Sequence, residues 1–385
     1  MTNHTDDFTV TPYEVEGSID YDRLLDRFGA DELTHDQLKQ FPQPPHPLLR
    51  RGIFYAGRDV DRVLDAMESD GPLSIVTGRG PSGPMHLGHV LPFYFAKWLQ
   101  AETGAHVYIP ISDDEKHYAK DLTLSEVRTH ARENLRDVLA VGFDPERTRI
   151  VIDTEDADVL YPTAARIASR LTPATVEAVY GEPPNVGLGF YPAMQATHLL
   201  LPQLVRGPHP TLVPIAVDQD PHVRLCRDVA AKEAFDAEKP AALLSRFLPS
   251  LEGGSGKMST SGTDATIRLT DDRETVRETV LTHAYSGGKT SVAEHREEGG
   301  DPDVDVAYQL LYAFFEPDDR EIERLAREYR SGDLLSGELK TIAADRIADF
   351  LTDHQRRREA LDPLDAELER YRLREDERER LQSLP

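Results

Sequence analysis

The sequence predicts an α/β fold: a doubly wound, parallel, Rossmann-like sheet as catalytic domain, with a helical insertion and a C-terminal α-helical domain. Two observations predict it. Between Ser74 and Val217 four short apolar runs, Ser74–Val76, Val107–Ile111, Arg149–Ile152 and Leu212–Val217, are separated by stretches of helical periodicity, the alternation that builds a parallel sheet. From Thr275 onwards the pattern is helical and strongly charged.

Taken in order, residues 1–71 read as an accessory segment. They hold a polar start, a short helix around Tyr21–Phe28, a proline-rich spacer from Phe41 to Pro47, the Arg50-Arg51 pair and a helix over Asp59–Met67. Residues 72–285 hold the sheet. Its first strand enters a turn punctuated by Gly78, Gly80 and Gly83, after which Leu87, Val90, Leu91, Ala96 and Leu99 recur at helical spacing. The second strand is followed by Asp113-Asp114-Glu115-Lys116 and a long helix through Val141. Residues 156–206, broken by prolines and the Gly187-Leu-Gly189 bend, read as an insertion between strands, and the fourth strand runs into Asp218-Gln219-Asp220. A Gly253-Gly-Ser-Gly256 loop then carries Lys257-Met258-Ser259-Thr260-Ser261. Residues 286–385 are the expected helical domain, with helices over Ala307–Phe315, Asp319–Arg330, Ser336–Ala360 and Asp362–Leu381. The arginines of 356–358 and 370–380 alternate with acids and read mostly as solvated faces.

Composition bounds the rest. At 385 residues the chain can form two or three domains, and its formal net charge is −25, with arginine far outnumbering lysine. In molar salt the Debye length shrinks to about 3 Å, so such an acidic surface is tolerable there, and the expectation is a cytoplasmic protein of a halophile. Counter-ion release weakens at high salt as a driving force, so nucleic-acid binding stays open without a basic patch. Cys226 is the sole cysteine, which excludes an internal disulfide and a cysteine-built zinc site. No apolar run is long enough to span a bilayer, so no membrane partner is expected.

Parallel sheets bind ligands at the carboxyl ends of their strands, where Thr77, Gly78, Asp113, Asp114 and Glu115 fall. A strand that feeds a helix through glycines leaves backbone N–H groups at the positive end of the helix dipole, a seat for phosphate. Three chemistries fit this stretch. Gly78-x-Gly80-x-x-Gly83 has the spacing of a dinucleotide fingerprint, but no acidic strand end follows about twenty residues on. As metal ligands, His86 and His89 lack the further Cys, His or acid that a tetrahedral site needs. As a nucleotide site, Gly88 lets a ligand lie flat on the helix while the two imidazoles donate to phosphate and ring oxygens. The lysine loop is not a Walker loop, because Leu251 occupies the first glycine position and Met258 follows the lysine. Together with the histidine pair it points to ATP.

His86-Leu-Gly-His89 resembles the HIGH signature, and Lys257-Met-Ser-Thr-Ser261 the KMSKS signature, of class I aminoacyl-tRNA synthetases. Within that class the chain is similar to the archaeal and eukaryotic tryptophanyl-tRNA synthetases over most of its length, through the segments 10–17, 77–86, 113–116, 192–195, 218–221 and 286–288. The resemblance implies tryptophan activation by ATP with Mg²⁺, transfer to tRNA(Trp), a homodimer formed through the region 156–206, and anticodon binding by the C-terminal helices. It implies catalytic roles for His86, His89, Lys257, Ser259 and Ser261, with ATP contacts from Thr77, Gly78, Arg79, Gly80, Gly88, Asp218 and Met258. Val76, Glu115, Gln195 and Gln219 fall at amino-acid-binding positions, and no dedicated metal site is implied. The chain differs from the family at Val76 and Pro110, where a tyrosine and a glutamine usually reach toward the indole N–H. The same chemistry with another amino acid such as tyrosine, or a non-catalytic paralogue that binds tRNA or nucleotide, are the alternative readings.

Overall fold

The structure is a computed structural model that describes residues 8–10, 15–17, 20–232, 236–253, 265–361 and 363–384. The lysine loop, residues 257–261, lies outside the described residues. Strands β1 (Phe8–Val10) and β2 (Val15–Gly17) form a separate antiparallel pair. A seven-stranded sheet is built from β3 (Asp31–Glu32), β4 (Phe54–Arg58), β5 (Ser74–Val76), β6 (His106–Ile111), β7 (Thr148–Ile152), β8 (Thr211–Ala216) and β9 (Ala241–Ser245) in the order β3-β4-β9-β8-β5-β6-β7. The five strands from β9 to β7 are parallel and β3 and β4 antiparallel, which gives the predicted α/β class. From β5 the chain winds outward to β6 and β7, then returns to β8 and β9 on the other side. The crevice at this reversal, between the carboxyl ends of β5 and β8, is where such sheets hold ligands.

The sheet extends beyond the expected boundary at residue 71, because β3 and β4 from the first segment close its edge against β9. Apolar layers cover both faces. One contains the Leu87–Thr103 and Leu124–Ala140 helices and is continuous with the C-terminal helices through residues such as Val276, Leu310, Ile347 and Leu351. The other contains Ala157–Ala168, Val186–Arg206 and Asp220–Ala230.

Arg51 joins the first segment to the helical part. Its guanidinium donates to the Tyr312 and Glu316 carbonyls, each at 2.7 Å, and to Asp319. One of those carbonyls lies within a π-helical turn, Leu311–Phe315, and the other caps its end, where the turn leaves carbonyls short of partners. The expected boundary at 285 also differs from the packing, since the Arg273–His283 helix lies along Ser336–Glu359. The expected final helix breaks into Leu364–Glu369 and Glu375–Gln382.

Several arginines that read as solvated faces instead tie elements together. Arg357 donates to the Ala140 carbonyl and the Tyr94 hydroxyl, and Arg358 pairs with Asp137 and Glu133. Arg374 pairs with Glu146, and Arg378 with Asp156 and Asp158, so the tail is fastened beside β7. There the Tyr371 carbonyl accepts from Ile150 N at 2.7 Å. Buried Arg149 and Glu377 pair at 2.7 Å across the same contact. A charge run looks alike in sequence whether water or a neighbouring carboxylate solvates it. Arg356, whose ion pair among the described residues is with exposed Asp353, keeps the solvated role.

Candidate functional site

The site starts from β5, whose three residues are buried, and from the turn that follows. Gly78 is required by close approach to backbone, whereas Gly80 sits against the movable ends of two side chains. A Cβ on Gly78 would stand 2.7 Å from the Pro110 carbonyl oxygen, and one on Gly80 2.6 Å from the Lys116 side chain. Arg79 braces the turn through Nε to Asn134 Oδ1 at 3.1 Å, while Asn134 Nδ2 donates to the Gly83 carbonyl at 2.9 Å. Burial draws the Arg79 guanidinium down to about 10, opposed by the charge of Glu115.

The Leu87–Thr103 helix is capped by its own histidines. His86 Nδ1 accepts from Gly88 N at 3.1 Å, and His89 Nδ1 accepts from His86 N at 3.3 Å, a reciprocal capping box in which the two rings stack at 3.5 Å. A neutral imidazole that accepts at Nδ1 carries its proton on Nε2. The cap therefore fixes the tautomer that makes each Nε2 a donor.

Glu115 opens the short helix Glu115–Ala119 after β6 and pairs with Lys116 Nζ at 2.6 Å. Gln195 projects from the Val186–Arg206 helix, and the Tyr191 hydroxyl one turn earlier donates to its Oε1 at 2.7 Å, with Ser112 Oγ at 3.1 Å. With Oε1 engaged, Gln195 offers amide N–H donors to an occupant, which suits a carboxylate better than an ammonium. Asp218 and Gln219 lie in the turn Val217–Gln219 after β8. Asp220 is turned away, fully buried and held by Arg58 at 2.7 and 2.8 Å.

These pieces converge on one cavity of about 360 Å³ at the β5/β8 crevice. Val76, Thr77, Gly78, Arg79, Gly80, His86, Gly88, His89, Glu115, Gln195, Asp218 and Gln219 all line it. Lys257, Met258, Ser259 and Ser261 lie outside the described residues. Sequence reasoning missed Tyr191, His222, Arg246 and Phe247 in the lining. Tyr191 had a usable signal, since it stands four residues before Gln195 on one helix face. Arg246 and Phe247 follow β9, an unrecognised strand.

Below the cavity lies a buried acidic group. Asp114 accepts from Tyr161 at 2.6 Å, Asp113 from Thr154, and Asp153 is 2.7 Å from His198 Nε2. Burial, and then the charge of Asp153, push the Asp114 carboxyl up to about 7. Asp114 Oδ1 and Asp153 Oδ2 are both buried without a partner, which a proton shared between the two carboxyls would satisfy. Burial holds His198 down at about 4, so its ring is neutral. Among the described residues no group of three or more His, Cys, Asp or Glu side chains is arranged to hold a metal ion.

Residues 68–352 match the family of class I tRNA synthetases (W and Y). The chain belongs to that family. The synthetase is 63% identical to "Tryptophan--tRNA ligase 2" of Halobacterium salinarum over 372 residues, 96% of either chain. It is 43% identical to the tryptophan--tRNA ligase of Saccharolobus solfataricus, covering 92% of this chain and 93% of that one. Among solved structures it resembles the tryptophanyl-tRNA synthetase from Giardia lamblia, with a TM-score of 0.84, 34% identity and coverage of 92% and 96%. In the helical part, buried Asp305 accepts from Gly287 N at 3.0 Å and from the Tyr329 hydroxyl at 2.8 Å.

Proposed function

We propose that this synthetase activates tryptophan with ATP and transfers it to tRNA(Trp). The observation that carries the reading is the convergence of residues from four separate stretches on one cavity at the strand-order reversal. A carboxylate oxygen of tryptophan forms a bond to the α-phosphorus of ATP, the bond to the bridging oxygen breaks, and pyrophosphate leaves with that electron pair. A terminal ribose hydroxyl of the tRNA then attacks the adenylate carbonyl, and AMP departs.

The chain's part is to position reactants and stabilise charge on phosphate. His86 and His89 direct Nε2–H donors at the triphosphate and adenosine, with Gly80 and Gly88 allowing close approach. Thr77, Gly78 and Arg79 shape the floor, and Asp218 takes the ribose. Val76, Glu115, Gln195 and Gln219 surround the amino acid. Lys257, Ser259 and Ser261 bind the pyrophosphate, with Met258 beside the nucleotide. Mg²⁺ accompanies the triphosphate as part of the substrate.

The C-terminal helices take the anticodon. Two chains associate through residues 156–206, a reading supported by Val186, which is 89% exposed at the start of its helix. No helix among the described residues is long and apolar enough to cross a membrane, and a cytoplasmic enzyme fits that.

ATP–pyrophosphate exchange with each amino acid in turn tests the reading. Exchange should be strongest with tryptophan, and exchange with tyrosine alone would overturn the assignment. Lys257→Ala should abolish most exchange while the fold is kept; an unchanged rate would remove the lysine loop from the mechanism.

A further inference from the structure

An indole has one polar atom, an N–H that only donates. A cavity selecting tryptophan over an isosteric ring must therefore present an acceptor to it, because a buried N–H without a partner loses much of its binding free energy. At the ends of β5 and β6, nearest the amino-acid side, the lining is Val76 and Pro110, neither of which has a side-chain acceptor. Glu115 is paired with Lys116, and Gln195 Oε1 already accepts from Tyr191.

His222 remains. It sits in the first turn of the Asp220–Ala230 helix, is buried and lines the cavity. Its ring meets that of Tyr191 edge-on at 6.3 Å, which puts it beside the residue that holds Gln195. The Tyr180 hydroxyl lies 2.8 Å from its Nδ1, so Nε2 is the nitrogen left for an occupant of the cavity. Burial is the main reason that His222 stays neutral, held down at about 3, and the positive charge of Lys116 works in the same direction. Neutrality matters because an imidazolium could only donate.

Building on the tryptophan reading above, we propose that His222 is a specificity-determining residue, whose Nε2 accepts the indole N–H of the bound amino acid. In that role Nδ1–H donates to the Tyr180 oxygen, an arrangement the 2.8 Å contact accommodates, and Nε2 is left bare. Tyr180 is then a positioning residue for the acceptor.

The test compares tryptophan with β-(3-benzothienyl)alanine, in which sulfur replaces the N–H, in ATP–pyrophosphate exchange on one protein at a time. The ratio of kcat/KM values is then independent of the fraction folded. Wild type should prefer tryptophan by about tenfold or more, the scale of one buried hydrogen bond. His222→Phe should bring the two substrates to near parity, chiefly by slowing tryptophan. His222→Gln, with its oxygen near the Nε2 position, should keep the preference, whereas His222→Asn, with its oxygen near Nδ1, should lose it. A wild-type preference retained in His222→Phe would overturn the proposal, as would equal ratios in the Gln and Asn variants if His222→Phe fails to fold. A wild-type protein that does not activate tryptophan at all would instead overturn the functional reading, before any variant is compared.

Discussion

Tyr191→Phe isolates the orientation of Gln195 from its mere presence. The substitution removes one oxygen and keeps the ring, so the edge-on contact with His222 survives. It takes away the hydroxyl that donates to Gln195 Oε1 at 2.7 Å and lies 3.1 Å from Ser112 Oγ. A single buried hydrogen bond of this kind contributes about 1 kcal/mol net, and more when an acceptor is left unpaired. Freed from its donor, the Gln195 amide can turn, and its N–H groups no longer face a bound carboxylate by default. At 1.4 kcal/mol per factor of ten, KM for tryptophan should rise by about five- to tenfold. KM for ATP should hardly move, since Gln195 is placed beside the amino acid. The assay is steady-state pyrophosphate exchange with each substrate varied against saturating levels of the other, together with a thermal melt. Equal KM values for tryptophan in the two proteins would refute the orienting role. A parallel rise for both substrates would mean that the hydroxyl only supports the fold.

Two other perturbations follow from the geometry. Gly78→Ala would place a methyl 2.7 Å from the Pro110 carbonyl and 2.8 Å from its ring, so the ends of β5 and β6 must part. A displacement approaching 1 Å costs about hundredfold in rate, and pyrophosphate exchange should fall by that order while a melt shows a folded protein; wild-type exchange would show that the strand ends yield freely. Asp114→Asn tests the shared proton. A folded-state value of about 7 against an ordinary 3.8 means that the native protein holds a proton the unfolded chain has lost. Stability from this group is therefore full below pH 4 and declines as pH rises toward 7. Measured as the difference in Tm between wild type and variant, that decline should be visible from pH 4 to 7, and parallel curves would refute it.

What could be read from the sequence was what is local. Ser74–Leu99 announced a strand, a glycine turn and a helix within 26 residues, and the acids after β6 and β8 fell at strand ends because parallel strands in such sheets end where ligands bind. β9, Ala241–Ser245, was not legible. It is rich in alanine and leucine with one serine, without the β-branched residues that mark strands, and takes its form from β8 and β4 on either side. β4 lies more than 180 residues before its partner β9, so no local pattern could announce the pairing that carries the sheet past residue 71.

The same distinction separates the groups that bind from the groups that hold. His86 and His89 hold the helix, and in the proposed function they also bind, which explains why a histidine pair in that spacing is informative: the ring nitrogens that cap the helix fix which nitrogens remain as donors. The arginines of 357–378 give the opposite lesson. Their spacing suggested solvated faces or RNA contacts, but Arg357, Arg358, Arg374 and Arg378 are committed to Ala140, Asp137, Glu146 and Asp156. In a chain of net charge −25 the pairs of Arg358, Arg374 and Arg378 have a physical reason, since each places a cation against acids that would otherwise repel one another. Arg374 and Arg378 are unavailable to phosphate unless the tail detaches from β7, and Arg357 and Arg358 unless their helix parts from Leu124–Ala140. The RNA-facing surface is therefore to be sought where cations are weakly engaged, as Arg356 is with its exposed partner Asp353.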